Sequence, residues 1–200
     1  MSREAVLGRV RSALKRSAGQ AIPPPPDVLL NRTVMTVAQR IASFREALQR
    51  LNGKVFEAEN WQAAHEYVAG ITAGKRAIAS AAEVLQTSGI AQLADPSVSV
   101  SDADVGITAA DFALADTGSL VMLASPQEAR LVSLLPPVHV AILLRERILT
   151  GLDELLTVLP KPAEQTSSMV LITGPSRTAD IEQILVRGVH GPGVIHVVVV

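Results

Sequence analysis

Cysteine is absent from all 200 positions. That excludes structural disulfides, thiolate nucleophiles and cysteine-ligated iron–sulfur clusters within this chain. It agrees with a reducing, cytoplasmic setting. Aromatic residues are nearly as scarce, at three Phe, one Tyr and one Trp. The core must therefore be built from Ala, Val, Ile and Leu. Neither sign of charge prevails, with 18 Lys and Arg against 19 Asp and Glu. No global field then selects nucleic acid or an anionic membrane. No stretch reaches the ~20 uninterrupted apolar residues of a membrane span. The N-terminal segment interleaves Arg3, Arg9, Arg11, Lys15 and Arg16 with apolar residues and has no h-region, which does not read as a secretory signal.

What the chain does have is aliphatic bulk, with 48% of residues hydrophobic. A domain of this size buries roughly 70% of the surface its unfolded chain exposes, so it needs no metal or disulfide to fold. Ala5, Val6, Val10, Ala13 and Leu14 recur at helical spacing within 1–17. Four consecutive prolines, Pro23–Pro26, cannot continue that helix and read as an extended linker. We therefore divide the chain into an N-terminal amphipathic helix and proline-rich linker, 1–27, and a main domain, 28–200.

Periodicity in the main domain predicts a helix over 33–51 stopped by Gly53, a strand over 54–57 and a helix over 61–71. It then predicts a strand over 76–80 and a short helix over 82–89. Strand pieces follow at 104–107, 113–114 and 119–123, with a turn at Asp116–Ser119 between the last two. Further along come a strand over 138–144, a helix over 149–159, a strand over 169–173, a helix over 179–187 and a last strand over 194–200. Continuous apolar runs such as 138–144 and 169–173 fit strands covered on both faces. The expected fold is α/β, a mostly parallel sheet flanked by helices, with an added antiparallel hairpin element.

Four segments could carry chemistry. In the first, an apolar strand runs into Thr173, Gly174, Pro175, Ser176, Arg177 and Thr178 and then into the expected helix. Ligands of open α/β sheets sit outside the carboxyl ends of strands. Gly174 would let a ligand approach the backbone, and Ser176, Arg177 and Thr178 offer hydroxyls, a guanidinium and helix-start N–H groups to an anion. Asp180 and Glu182 would already complement that helix start, so a capped strand-to-helix turn describes the same residues. The second segment is the turn Gly188–Gly193, whose His190 could exchange protons near neutral pH or hold the turn by a hydrogen bond. With a helix between them, these two segments should lie at opposite ends of the sheet. The third, Asp111–Ser119, supplies Asp111 and Asp116 as a general base, a polar anchor or turn formers. The fourth, Ser133–His139, puts His139 at the start of a strand, where it either bonds a carbonyl or faces a cleft. The histidines lack HxxxH or HxH spacing, so the sequence supports no metal site.

Taken in order, Gly106–Ser119, Ser133–His139, Ile172–Glu182 and Gly188–Gly193 resemble the LutC/YkgG family of lactate-utilisation proteins, which carry a LUD domain. The resemblance implies a fold like that of the NagB/RpiA and CoA-transferase proteins. It also implies a part in oxidising L-lactate to pyruvate beside partner proteins, one of them bearing iron–sulfur clusters. This chain would be the component without those clusters, holding no cofactor of its own. The alternative is a small-molecule-binding or transferase- or isomerase-like enzyme acting on a phosphorylated or CoA-linked metabolite. The resemblance leaves open whether the chain is itself an enzyme. Asp116, His139 and His190 are its catalytic candidates. Thr173, Gly174, Ser176, Arg177, Thr178, Asp180 and Glu182 are its ligand-binding candidates, for a small carboxylate or a phosphate-bearing ligand. Family members often carry Glu where Asp116 stands, so the charge is kept here with a shorter reach.

Overall fold

The computed structural model describes residues 2–17, 19, 34–127, 129–179, 185–188 and 190–200. The chain divides into two units, Met1–Arg32 and Thr33–Val200. In the first, helix α1 (Arg3–Ala13) is capped by Ser2, whose Oγ accepts from the Ala5 N–H at 3.3 Å. None of its residues is buried, and Val6, Val10 and Leu14 stand exposed. The proline-rich stretch lies outside the described residues.

The second unit is built on two sheets. The larger has five parallel strands in the order β1-β11-β6-β3-β2. These are β1 (Lys54–Glu57), β2 (Ala77–Ala79), β3 (Val105–Ala109), β6 (Val138–Leu143) and β11 (Val194–Val199). The smaller holds β7 (Ile148–Leu149), β4 (Phe112–Leu114), β5 (Ser119–Leu123) and β8 (Met169–Ile172) in that order, with β5 antiparallel to both neighbours. This is the mostly parallel sheet with an added antiparallel element that the pattern implies.

One face of the large sheet packs on α3 (Trp61–Thr72) and α4 (Glu83–Thr87), through Ala64, Val68 and Leu85 against Val105, Ile107, Val140, Ile142 and Val198. The other meets α2 (Val37–Arg50) and the small sheet, through Ile41, Phe44 and Leu48 with Leu120, Met122, Ala141, Leu143, Val197 and Val199. The far face of the small sheet is covered by Leu155 of α6 (Leu152–Val158). Between α6 and β8 lies one further short helix, α7 (Pro162–Gln165). Helix α2 forms where it does because Thr36 and Gln39 make a reciprocal capping box, and because Ile41, Phe44 and Leu48 fall on one stripe. The left-handed residue at its end is Asn52, at φ 65°. Gly53 instead makes room for Leu48, which would lie 2.5 Å from a Cβ there.

Three expectations are corrected. The segment 179–187 does not form the predicted helix at its described ends. Arg177–Ala179 is strand β9 and Leu185–Arg187 is strand β10, paired antiparallel with Arg177 opposite Arg187. The stretch is rich in Ile, Leu and Val, and tertiary pairing prevails over its mild helical pattern. The apolar run at β8 is also not a strand buried inside a parallel sheet. It is the outer strand of the small sheet, and Leu171 is 42% exposed. The helix expected from residue 149 begins at Leu152, because Ile148 and Leu149 pair with Ala113 and Leu114.

Candidate functional site

The loss of the 179–187 helix rearranges the predicted site. A hairpin, unlike a helix crossover, returns the chain to the end it left. Ser176 therefore meets the 188–193 turn directly. Its N–H donates to the Pro192 carbonyl at 2.9 Å, and its carbonyl accepts from the Gly188 N–H at 3.1 Å. A Cβ on Gly191 would lie 3.4 Å from the Ser176 Cβ. The expectation that Ser176 and His190 lie at opposite ends of the sheet is thus overturned.

The fourth segment closes on the same place. The Pro137 carbonyl accepts from the N–H groups of both Gly193 and Val194, at 3.0 and 3.3 Å. Helix α5 (Arg130–Leu134) lies over β3 at Gly106, where a Cβ would sit 2.0 Å from the Val132 carbonyl oxygen. Between α5 and the glycine turn is a cleft of about 800 Å³, lined by Leu131, Leu134, Leu135, Val138, His190 and Val194 among others. It opens at the amino ends of β6 and β11. The lining is aliphatic, prolyl and glycyl, and among the described residues His190 is its one ionisable side chain. Leu131 and Leu135 are half exposed. Sequence reasoning had not picked out these leucines. Their only signal was their place on either side of Ser133.

The remaining candidates gather elsewhere. Thr173 belongs to a chain of hydroxyls, Thr117–Ser119–Thr173, with both Oγ–Oγ contacts at 2.8 Å. Gly174, at φ 82°, packs its Cα side against Leu51, where a Cβ would lie 2.8 Å from the Leu51 Cβ. It makes room for α2 rather than for a ligand. Arg177 donates to the Leu51 carbonyl, where it satisfies a carbonyl just past α2 and complements the negative end of that helix. No helix starts at Ala179, so the helix-start N–H groups once offered to an anion are not there. Thr178 sits in β9 opposite Val186, and Asp180 and Glu182 lie outside the described residues.

Asp116 is exposed in the β4–β5 turn. Its N–H donates to the Thr150 carbonyl at 3.1 Å, and its Oδ2 would stand 2.7 Å from a Cβ on Gly151. Gly118 in the same turn, at φ 67°, lets the turn press on α2, where a Cβ would meet the Leu48 nitrogen at 2.5 Å. His139 does not face the cleft. It is fully buried, its Nε2 shares a proton with the Thr108 hydroxyl at 2.8 Å, and its Nδ1 has no partner. Burial lowers its pKa to about 4, so it is neutral at physiological pH and part of the core. Among the described residues no group of three or more His, Asp or Glu is placed to hold a metal ion. Among them, too, no helix is long and apolar enough to cross a membrane.

The segments that build both clusters fall inside the region that matches known proteins. The model of the LUD domain matches residues 97–200. Lactate utilization protein C of Halalkalibacterium halodurans is 42% identical over 94 residues, 45% of this chain and 41% of that protein. The protein of the same name from Exiguobacterium sp. is 40% identical over 94 residues, with the same shares. The chain thus spans about two fifths of the length of these relatives. In fold, the chain is similar to the crystal structure of a DUF162 family protein from Deinococcus radiodurans. The TM-score is 0.63 at 15% identity, over 83% of this chain and 99% of that one. The chain therefore belongs to the LUD domain family.

Proposed function

We propose that the chain is the component without iron–sulfur clusters of a cytoplasmic system that oxidises L-lactate to pyruvate. In this reading a partner protein carries the clusters and the electrons. The observation that carries it is the family match over 97–200, the stretch that holds the cleft turn, α5 and the hydroxyl chain. The names of the relatives supply the pathway. The absence of cysteine supports the division of labour, since this chain has no thiolate to bind a cluster. Deleting this gene alone should abolish growth on L-lactate as sole carbon source while leaving growth on pyruvate intact. Normal growth of the deletion strain on L-lactate would overturn the reading.

A second reading is favoured by the aliphatic cleft between α5 and the glycine turn, with His190 in its lining. It makes the chain a binder of, or an enzyme on, a phosphorylated or CoA-linked metabolite, with the aliphatic cleft taking the apolar part of the ligand. Thermal-shift screening against sugar phosphates and acyl-CoA thioesters decides between them, and a flat response across that panel would leave only the first.

A further inference from the structure

The two strands that leave the centre of the large sheet enter the small sheet as neighbours. β3 leads through Ala110 and Asp111 into β4, and β6 leads through Arg145–Arg147 into β7. β3 and β6 are paired in parallel, and so are β4 and β7. Ala113 lies opposite Ile148, so one step back along both strands brings Phe112 beside Arg147. The guanidinium carbon of Arg147 does lie over the Phe112 ring, 5.3 Å from its centroid. Asp111 is the next residue. These two crossovers stand at the carboxyl ends of β3 and β6, the end of a parallel sheet where ligands sit.

Both side chains keep binding capacity in reserve. The exposed Arg147 has no acidic partner within ion-pair distance among the described residues. Phe112 lies against its planar face, and among the described residues no hydrogen bond engages its N–H fork. Its neighbour Arg145 is engaged on the Ala58 carbonyl. Asp111 is partly buried and fixed by one oxygen, its Oδ2 accepting from the Leu123 N–H at 2.7 Å. Burial raises the carboxyl pKa, while the Leu123 bond, the charge of Arg147 and the residue's own backbone N–H oppose the rise. Asp111 thus feels Arg147 without being neutralised by it in a salt bridge.

We propose that Arg147 and Asp111, held side by side where β3 and β6 cross into the small sheet, form a subsite for a small 2-hydroxy or 2-oxo carboxylate. The Arg147 fork takes the carboxylate in two parallel hydrogen bonds. Asp111 Oδ1 accepts from the 2-hydroxyl, or, when protonated, donates to the 2-oxo oxygen. The apolar cleft at the other end of the sheet suits such an acid poorly, because its described lining carries no Lys or Arg and its volume far exceeds a three-carbon ligand. The subsite rests on the lactate reading above but is tested separately from it.

The test titrates purified full chain with L-lactate, pyruvate and propionate, following amide and arginine Nε resonances by NMR. Saturable shifts centred on the Leu123 amide and the Arg147 Nε are expected with L-lactate and pyruvate. Propionate, which lacks the 2-oxygen, should bind more weakly. Arg147→Ala should reduce affinity at least about tenfold, Arg147→Lys should recover part of it, and Arg50→Ala should change nothing. Asp111→Asn keeps an oxygen for the Leu123 N–H but replaces the accepting Oδ1 by a donating NH2, so it should weaken L-lactate relative to pyruvate. Shifts that do not saturate, or equal weakening by Arg50→Ala, would overturn the subsite. If deletion of the gene abolishes growth on lactate but the chain binds neither acid, the subsite fails and the pathway role stands. If the chain binds and the deletion strain grows normally, the reverse holds.

Discussion

Gly106 is the point on which α5, and with it the leucine wall of the cleft, is set against the sheet. Replacing it by alanine puts a methyl group 2.0 Å from the Val132 carbonyl oxygen, 2.9 Å from Pro136 Cγ and 3.1 Å from the Val132 carbonyl carbon. The obstruction is mostly backbone, so a side-chain rotation cannot relieve it. Either α5 lifts by about 1 Å or β3 bends, and overpacking of this kind costs roughly 1–3 kcal/mol. Because the neighbour cannot swing aside, the cost falls near the upper end. The alanine recovers about 0.5–1 kcal/mol by restricting the unfolded chain. The net expectation for Gly106→Ala is a loss of about 2 kcal/mol, or roughly 4–8 °C in Tm for a domain of this size. Urea denaturation followed by far-ultraviolet circular dichroism reads this as a lower midpoint at unchanged slope. Amide shifts at Leu134 and His190 should move as well, because the cleft opens when α5 lifts. A variant with a midpoint at or above that of the native protein, and with unshifted cleft amides, would refute this account of the packing.

Three further expectations use the same reasoning. Gly70 lies in α3 with no heavy atom within 4 Å of a built Cβ, so Gly70→Ala should stabilise the protein by about 0.5–1 kcal/mol; a loss of stability in the same urea assay would show hidden crowding there. Gly118→Ala meets both the Leu48 backbone at 2.5 Å and a left-handed φ of 67°, so it should destabilise more than Gly106→Ala, measured side by side by thermal melting, and equal melting temperatures would count against the argument. For His139, the unfolded chain takes up a proton near pH 6.5 that the folded chain takes up only at about 4. Stability is therefore fully present above about 6.5 and falls by up to about 3 kcal/mol as pH drops to about 4; urea midpoints across that range should fall less steeply for His139→Gln, and identical slopes would refute the assignment.

How much of this could be read from the sequence depends on where the decisive interaction lies. The strands at Val138–Leu143 and Val194–Val199 were legible because burial on both faces writes itself as an unbroken apolar run. Helix α2 was legible because its stripe and its capping residues are local. Met169–Ile172 looks just as apolar for a different reason. Val170 and Ile172 face the main core while Met169 packs towards Leu155, so an outer strand of a two-layer element mimics an inner strand of a parallel sheet. The 177–187 hairpin was misread because its pairing partner is itself, a contact that helical periodicity hides. That one error displaced His190 from Ser176. The role of His139 was undecidable from sequence, since Thr108 and Gly106 become its neighbours only when β3 pairs with β6. Arg147 was invisible for a similar reason, because the two-residue strand β7 that orients it has no pattern of its own.

Ser176 closes the neck of the β9–β10 hairpin, its carbonyl accepting from the Gly188 N–H while its own N–H donates to the Pro192 carbonyl in the turn beyond. A loop pinned at its neck is thermodynamically insulated from the body that carries it. Doubling its length adds only about 0.6 kcal/mol of closure entropy, while β11 keeps its place through β1 and β6. Sequence added beyond Arg177, whose side chain is tied to the Leu51 carbonyl, should therefore cost the fold little. Because the neck of the hairpin borders the cleft, whatever is grafted there arrives next to the mouth of that cleft, so a family built on this scaffold can diversify what it meets without rebuilding what holds it up.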